Sequence, residues 1–558
     1  MADVFSVRGL EVHSSRMYDF TQMQNTLSFM ERYGLNTLIF HQNDLADVLV
    51  FPEKYFSMEY MWKRFPPRYS RVLNFRYYIR NIINMCHRRG IKFMLETKEL
   101  WYDEWILELQ PDVINKETGF VCPSHPFWFT YLDEKLKELF REMPGIDGII
   151  VSPGTRESKL SITTNRCGCD RCRNTSNEAW FSNLLKTMDH VMQPLGKRLV
   201  VRDFAFGAHD QTVVLQGVNH AGIDVTMSLK NTPHDFYPTF PTNPAIGHSG
   251  HREWVEFDTW GQFIGNGVFP VSVIEDMQQR MLDCREAGVE GIFLRTDWEN
   301  MQDACVFNSP NIVNLIAGAL LAKNPETDCD EIYREWASYG LLNPLLPASA
   351  DQRPEPLKDM SRYTNLRDFM RASWKIVEKT MFVRGHLFQD NSMVPYSMER
   401  GAEIMMKAHC MDEWLPGASA QVLPTEENLE IIFREKAEAV RESENLGGIL
   451  QIDQLGFSQE MTEGFRQLLE LYPYYTRCFE TACKSYFLCL MAEKTHRRED
   501  LDRLLLALQS MEQYADEVEE YLADKEYYHE IPRLIAHDRL RALSANIRLH
   551  ISKIDDWR

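Results

Sequence analysis

Long apolar runs are missing from this chain: nothing in its 558 residues approaches the roughly 18 consecutive apolar residues that a membrane-crossing helix needs. A surplus of basic charge is missing too. With 61 Lys and Arg against 81 Asp and Glu, the formal net charge is -20, which argues against a nucleic-acid partner, because phosphate neutralisation needs clustered cations. Cysteine is sparse. Twelve are too few for a disulfide scaffold and fit reduced, mostly buried thiols. No glycine-rich phosphate loop, no nucleophile elbow and no His pair at helical ligand spacing occurs, so phosphoryl transfer, serine hydrolysis and a helix-borne catalytic metal all lack their motifs. The first residues run into a strand pattern without the basic and apolar regions of a secretory signal. A cytoplasmic location is expected, or a periplasmic or secreted one after removal of a leader.

What is present is an ordinary globular composition, 44% hydrophobic and 12% aromatic, in a chain too long for one core. Short apolar runs recur at 6–12, 37–40, 92–96, 148–151, 198–203, 225–229, 255–258 and 291–294. Amphipathic stretches of helical length separate them, for example 20–33, 71–89, 126–142, 178–192 and 276–287. Eight such units in succession predict an α/β fold, a (β/α)₈ TIM barrel over residues 1–340. A Pro- and Ala-rich linker over 341–357 follows. Residues 358–558 then read as a C-terminal α-helical domain, with helices over 370–379, 398–409, 426–444, 458–471, 476–492, 498–522 and 537–554. This tail closes a pocket or builds a homodimer.

In such a barrel the strand ends form one floor, and functional groups collect there. The sixth run ends in Lys230-Asn231-Thr232-Pro233-His234-Asp235-Phe236 and the seventh in Asp258-Thr259-Trp260-Gly261-Gln262-Phe263. Glu157 follows the fourth and suits protonation of a leaving oxygen, provided a partly desolvated site raises its pKa. With Asp235 it supplies the two carboxylates that glycoside hydrolysis needs. Arg202 and Lys230 end neighbouring strands and offer two fixed cations to a substrate carboxylate, or else pair with nearby acids. His41, Asn43 and Glu96 give the donors and acceptors that suit sugar hydroxyls. Asp297, Trp298 and Trp260 lie past strand ends as further sugar contacts, although a barrel core claims aromatic rings as readily. Cys167, Cys169 and Cys172 form a Cys-x-Cys-x-x-Cys cluster, which becomes a zinc site if Cys122 or a His completes it and is otherwise reduced thiols or one local disulfide. No cofactor and no catalytic metal are expected.

The barrel portion resembles the α-glucuronidases of glycoside hydrolase family sixty-seven. The similarity runs from Arg8-Gly9-Leu10 and Gly34-Leu35-Asn36 through 148–157, Val201-Arg202-Asp203-Phe204-Ala205-Phe206 and 255–265 to 311–336. Its most specific piece is Ser228-Leu229-Lys230-Asn231-Thr232-Pro233-His234-Asp235-Phe236, similar to the family's strand with a substrate-binding Lys and a catalytic Asp five residues later. The resemblance implies that Glu157 is the general acid, that Asp235 helps activate water in an inverting reaction, and that Arg202 and Lys230 contact a uronic acid. Two positions depart from it. Gln262 stands where the family has a second basic carboxylate, so Asp235 serves alone, Asp258 or Glu256 substitutes, or Gln replaces a natural Glu. A Lys that the family places before its acid has no counterpart among Ser152, Pro153, Gly154 and Thr155. The barrel pattern also starts almost at Met1, without the domain the family carries before it. The expectation is an exo-acting glycosidase on an oligosaccharide. A retaining enzyme on a neutral or amino sugar, with Asp235 or Asp258 as nucleophile, and a carbohydrate-binding barrel without catalysis are the other readings.

Overall fold

The computed structural model describes residues 4–42, 44–205, 207–298, 304–346, 353–527 and 530–554. Eight parallel strands close into a barrel in chain order: β1 (Val7–Val12), β2 (Thr37–His41), β3 (Lys92–Lys98), β4 (Gly148–Ser152), β5 (Arg198–Arg202), β6 (Thr226–Lys230), β7 (Arg252–Asp258) and β8 (Gly291–Arg295). β8 pairs back onto β1, with Gly9 opposite Phe293. All eight expected strands form, and β7 begins earlier than its apolar run because its polar first residues still carry ladder bonds.

Inside the barrel the two-residue period of a strand stacks side chains in layers. Ile39, Met94, Ile150, Val200, Trp254 and Phe293 form an apolar layer. Two residues further along the same strands come His41, Glu96, Ser152, Arg202, Glu256 and Arg295, a polar layer that is buried throughout. The barrel is therefore greasy at one level and ionic at the next, toward the C-terminal ends of its strands.

Helices follow seven of the strands, among them α1 (Phe20–Tyr33), α2 (Pro66–His87), α3 (Phe127–Glu142), α4 (Asn177–Met192) and α5 (Ala208–Ala221). After β6 the described residues 231–251 form turns instead of a helix. Asn243 pins that loop by donating to the Lys230 carbonyl (3.1 Å), and its own N–H donates to the Asn231 carbonyl (3.1 Å).

Beyond the barrel, helices dominate: α6 (Tyr363–Met381), α7 (Glu426–Leu450), α8 (Gln459–Thr495), α9 (Arg498–Ala523) and α10 (His537–Ile551). Two expectations need correction here. The sequence predicts a break near Pro473, yet α8 is one helix of 37 residues with Pro473 inside it. Its missing N–H removes one bond, and the buried neighbours Tyr472, Tyr475 and Phe479 hold the helix through that point. The helix expected over 398–409 is α-helical only for Met398–Glu403 and then widens into a π-turn, Ile404–Ala408. Leu341 and Glu355 exchange two backbone bonds across the expected linker. The helical region packs on the loop after β7, where the Phe269 ring stacks on Tyr472 and Tyr475 at centroid distances of 4.8 and 4.6 Å.

Candidate active site

The buried polar layer closes into a ring of charges. Arg202 donates to Glu96 (2.7 Å) and through two nitrogens to Glu256 (2.9 and 2.6 Å). Arg295 lies 3.4 Å from Glu256 and 3.3 Å from Glu11. His41 Nδ1 lies 3.0 Å from Glu11, and its Nε2 lies 2.9 Å from the Lys98 ammonium. An ammonium only donates, so His41 carries its proton on Nδ1. Burial and the Lys98 charge push the His41 pKa well down, and the ring stays neutral. His13 stacks on it at 3.6 Å and accepts from Arg295 at 2.7 Å. Burial raises Glu96 to about 7, only partly offset by Arg202. Although Glu11, His13 and His41 stand close enough together to hold a metal ion, Lys98 already takes His41 Nε2 and Arg295 takes His13 Nδ1, so two of the three ligand atoms face cations of the protein itself.

Above this floor stand two lysine–carboxylate pairs. Lys98 Nζ lies 2.9 Å from Glu157 Oε2, and Lys230 Nζ donates to Asp235 Oδ1 at 2.6 Å. Both ammonium groups sit 4.6 Å from the centre of the Phe204 ring, which Arg202 approaches at 5.0 Å. The Phe204 ring thus lies within cation–π distance of three cations. Asp235 and Phe236 both take left-handed backbone conformations, φ 34° and 64°, which cost energy for side chains of this kind and cluster at functional positions. Burial works to raise the Asp235 pKa, but Lys230, His409 and His234 outweigh it and hold the carboxyl below its usual range.

Asp235 opens into a cleft of about 860 Å³. Its walls come from the segments after four strands, including Arg156, Asp210 in the first turn of α5, Tyr237 and Phe263, and from the helical region through residues 389–391, Arg400 and His409. The helical region therefore builds half of the cleft that the barrel floor faces. His409 lies edge-on to His234 at 4.7 Å, and its pKa falls to about 3 because it is buried and beside other positive groups.

Several sequence expectations land differently. Glu157 is one-third exposed on its side chain and stands against Lys98. Burial pushes its pKa up, but Lys98 and Arg202 win and lower it, the reverse of what a resting general acid requires. Arg202 has no exposed surface, so it braces Glu96 and Glu256 and presents no fork to a ligand. Asp258 receives the N–H groups of Trp260, Gly261 and Gln262 at 3.0, 3.2 and 2.7 Å, which makes it the cap of the turn after β7. Trp260 is fully buried and wedged against Gly267, where even a Cβ would come within 1.7 Å of its indole nitrogen, so it is core. Asp297 accepts from the His13 N–H (2.7 Å) and the Ser14 hydroxyl (2.6 Å) and ties β8 to the loop after β1. His41 and Glu96 belong to the floor. Trp298 is half-buried, 6.4 Å from the Phe263 ring at the edge of the cleft. Asn43 lies outside the described residues. Gln262 is 4% exposed, and its Oε1 has no hydrogen-bond partner among the described residues.

Sequence reasoning passed over Lys98 as a partner of Glu157, Phe204 as the shared ring, and His409. The first had a signal, since Lys98 follows Glu96 by two residues and so shares its face. His409 had none, because it arrives from the helical region.

No protein-family model matches the chain, and no curated protein matches it, so the resemblance to family sixty-seven rests on the motifs quoted above. Solved structures do match. One, described as a "GH138 enzyme targeting pectin rhamnogalacturonan II", superposes with a TM-score of 0.67 at 11% identity, covering 99% of this chain and 85% of that one. An O-GlcNAc hydrolase of Thermobaculum terrenum matches over 99% of this chain and 97% of its own at 13% identity, with a TM-score of 0.43 that carries no structural argument. At such identities the likeness is one of fold: a (β/α)₈ barrel followed by a helical region.

Proposed function

We propose that this chain is an exo-acting glycoside hydrolase that removes a terminal sugar from an oligosaccharide, a uronic acid being the first candidate. The observation that carries the reading is a pair of lysine-held carboxylates past the strand ends of a closed barrel, Asp235 in the wall of the cleft and Glu157 in the loop after β4. The description of the barrel that superposes at a TM-score of 0.67, an enzyme targeting a pectin polysaccharide, agrees with a saccharide substrate.

In the proposed reaction, water attacks the anomeric carbon while the bond to the leaving oxygen breaks. Asp235, kept ionised by Lys230, takes the water proton, and Glu157 delivers a proton to the leaving oxygen. Glu157 starts ionised, so its acid role requires Lys98 to turn toward His41 Nε2, its other partner, whereupon Glu157 takes up a proton from solvent. Lys230, beneath Asp235, and Arg156, in the cleft wall, replace buried Arg202 as the cations for a sugar carboxylate. Asp258 is committed to three backbone N–H groups, which disfavours it as a nucleophile. Inversion needs the two carboxyls roughly 6.5–9.5 Å apart in the complex, and retention about 5 Å.

Gln262 supports a second reading, a carbohydrate-binding barrel that lacks its base. Hydrolysis of oligosaccharides bearing uronic, neutral and amino sugars at the non-reducing end, by this chain and its Gln262→Glu form, separates the two. Turnover of uronates with an inverted anomer is expected. Turnover of another sugar discards the uronate, and binding without turnover in both forms selects the second reading.

A further inference from the structure

Four of the twelve cysteines meet in one place away from the cleft. Cys122 ends a small loop after β3, where Ile114 bridges Val121 and the Cys122 N–H donates to the Val113 carbonyl at 2.8 Å. Cys167, Cys169 and Cys172 come from the loop after β4, with left-handed Gly168 (φ 78°) turning the chain between the first two. The four sulfurs lie within 4.8 Å of one another. Three of the separations are 3.7 Å (Cys122 to Cys169), 3.5 Å (Cys122 to Cys172) and 3.6 Å (Cys167 to Cys172).

Those lengths discriminate between chemistries. A disulfide holds its sulfurs about 2.05 Å apart, and all four cysteines are free thiols. A tetrahedron of thiolates about 2.3 Å from a zinc ion has edges of about 3.8 Å, close to what is seen. Four thiols packed together without an ion make poor partners, since S–H groups are weak donors. The surroundings also suit an anionic centre. Four thiolates around a divalent ion carry two net negative charges, and Arg166, Arg171 and Arg173 flank them in an otherwise acidic chain. Arg166 donates to the Cys172 carbonyl and Arg173 to the Gly168 carbonyl, fixing the turn. The Cys172 N–H points at Cys169 Sγ, 3.5 Å away. Across the two loops, Asn115 donates to the Cys167 carbonyl at 3.0 Å.

We propose that Cys122, Cys167, Cys169 and Cys172 form a closed structural zinc site that staples the loop after β3 to the loop after β4. Binding forms four Zn–S bonds and releases four thiol protons to solvent, with no change of oxidation state. Four protein ligands leave no open position, so the ion does no chemistry. Its effect is mechanical: Lys98 ends β3, Glu157 sits in the loop after β4, and the staple holds those two loops in register. The site is independent of the glycosidase reading.

The test is metal analysis of the purified full-length protein with zinc-edge X-ray absorption. One zinc per chain with four sulfurs at about 2.3 Å is expected. Cys169→Ser and Cys122→Ser should lose most of that zinc, while Cys284→Ser, a buried cysteine elsewhere, should keep it. A chelator should lower the melting temperature of the parent protein and leave that of the Cys169→Ser form unchanged. If the serine variants do not fold, the absorption spectrum of the parent decides alone. Metal-free protein with twelve titratable thiols, protein lighter by the hydrogens of a disulfide, or iron in place of zinc would overturn the proposal.

Discussion

At the scale of single residues, the site turns on two lysines. Lys98 and Lys230 each hold a carboxylate ionised, and the proposed reaction needs one of those grips to loosen and the other to stay. Replacing Glu157 with Gln should lower turnover of substrates with poor leaving groups by roughly 10²–10⁴-fold and spare activated aryl glycosides, which steady-state kinetics on both classes will read. Equal losses would remove Glu157 from the acid role. Replacing Lys230 with Met takes away the charge that holds Asp235 below the usual carboxylate range. The acid limb of the pH profile of kcat/KM should therefore move to higher pH. An unmoved limb would mean that Asp235 is not the group that titrates. Asp235, Lys230 and Glu157 were singled out in the sequence because each lies at or shortly past a strand end. Arg202 and Trp260 follow strands too, and strand-end position alone could not tell a group facing the cleft from one locked beneath it. Glu256, which locks Arg202, and Gly267, which admits Trp260, decide that.

At the scale of elements, the barrel strands were legible because apolar runs and amphipathic stretches alternate. The ionic layer was not read from the sequence, although pairs such as Val200 and Arg202 or Trp254 and Glu256, two residues apart and so on one face, carry its pattern. Pro473 misled because local propensity says nothing of the packing that holds α8 together across it. The loop after β4 offers a test at this scale. Glu99, just past β3, is buried and accepts from the Gly154 N–H (2.9 Å) and the Ser161 hydroxyl (3.0 Å). Burial raises its pKa from 4.5 to about 7, which those bonds only partly offset. The folded chain thus binds more protons than the unfolded one between those values. This group's contribution favours the folded state below pH ~4.5 and is lost as pH rises to about 7, by about 3 kcal/mol in all. Thermal melts of the Glu99→Gln form should fall less across that window than those of the parent. Parallel curves would show that Glu99 ionises normally.

At the scale of the whole molecule, the helical region packs directly on the barrel: Phe269 stacks against both Tyr472 and Tyr475, and Gln389 donates to the Phe263 carbonyl at 2.9 Å. The sequence predicted a helical region after the barrel but not what it packs against, since a helix face does not name its partner. Phe269→Ala should destabilise the chain by about 3–5 kcal/mol, and denaturant unfolding should show both regions melting together. Two separated transitions would mean that the helical region folds alone. The central claim, glycoside hydrolysis by the barrel face that the helical region overhangs, is met most directly by one measurement: turnover of a panel of aryl glycosides of uronic, neutral and amino sugars by the parent protein and its Asp235→Asn form. Turnover of at least one member by the parent, falling by a factor of roughly 10² or more in the variant, is the predicted result. Equal turnover in the two forms, or none by either on any member, would contradict it.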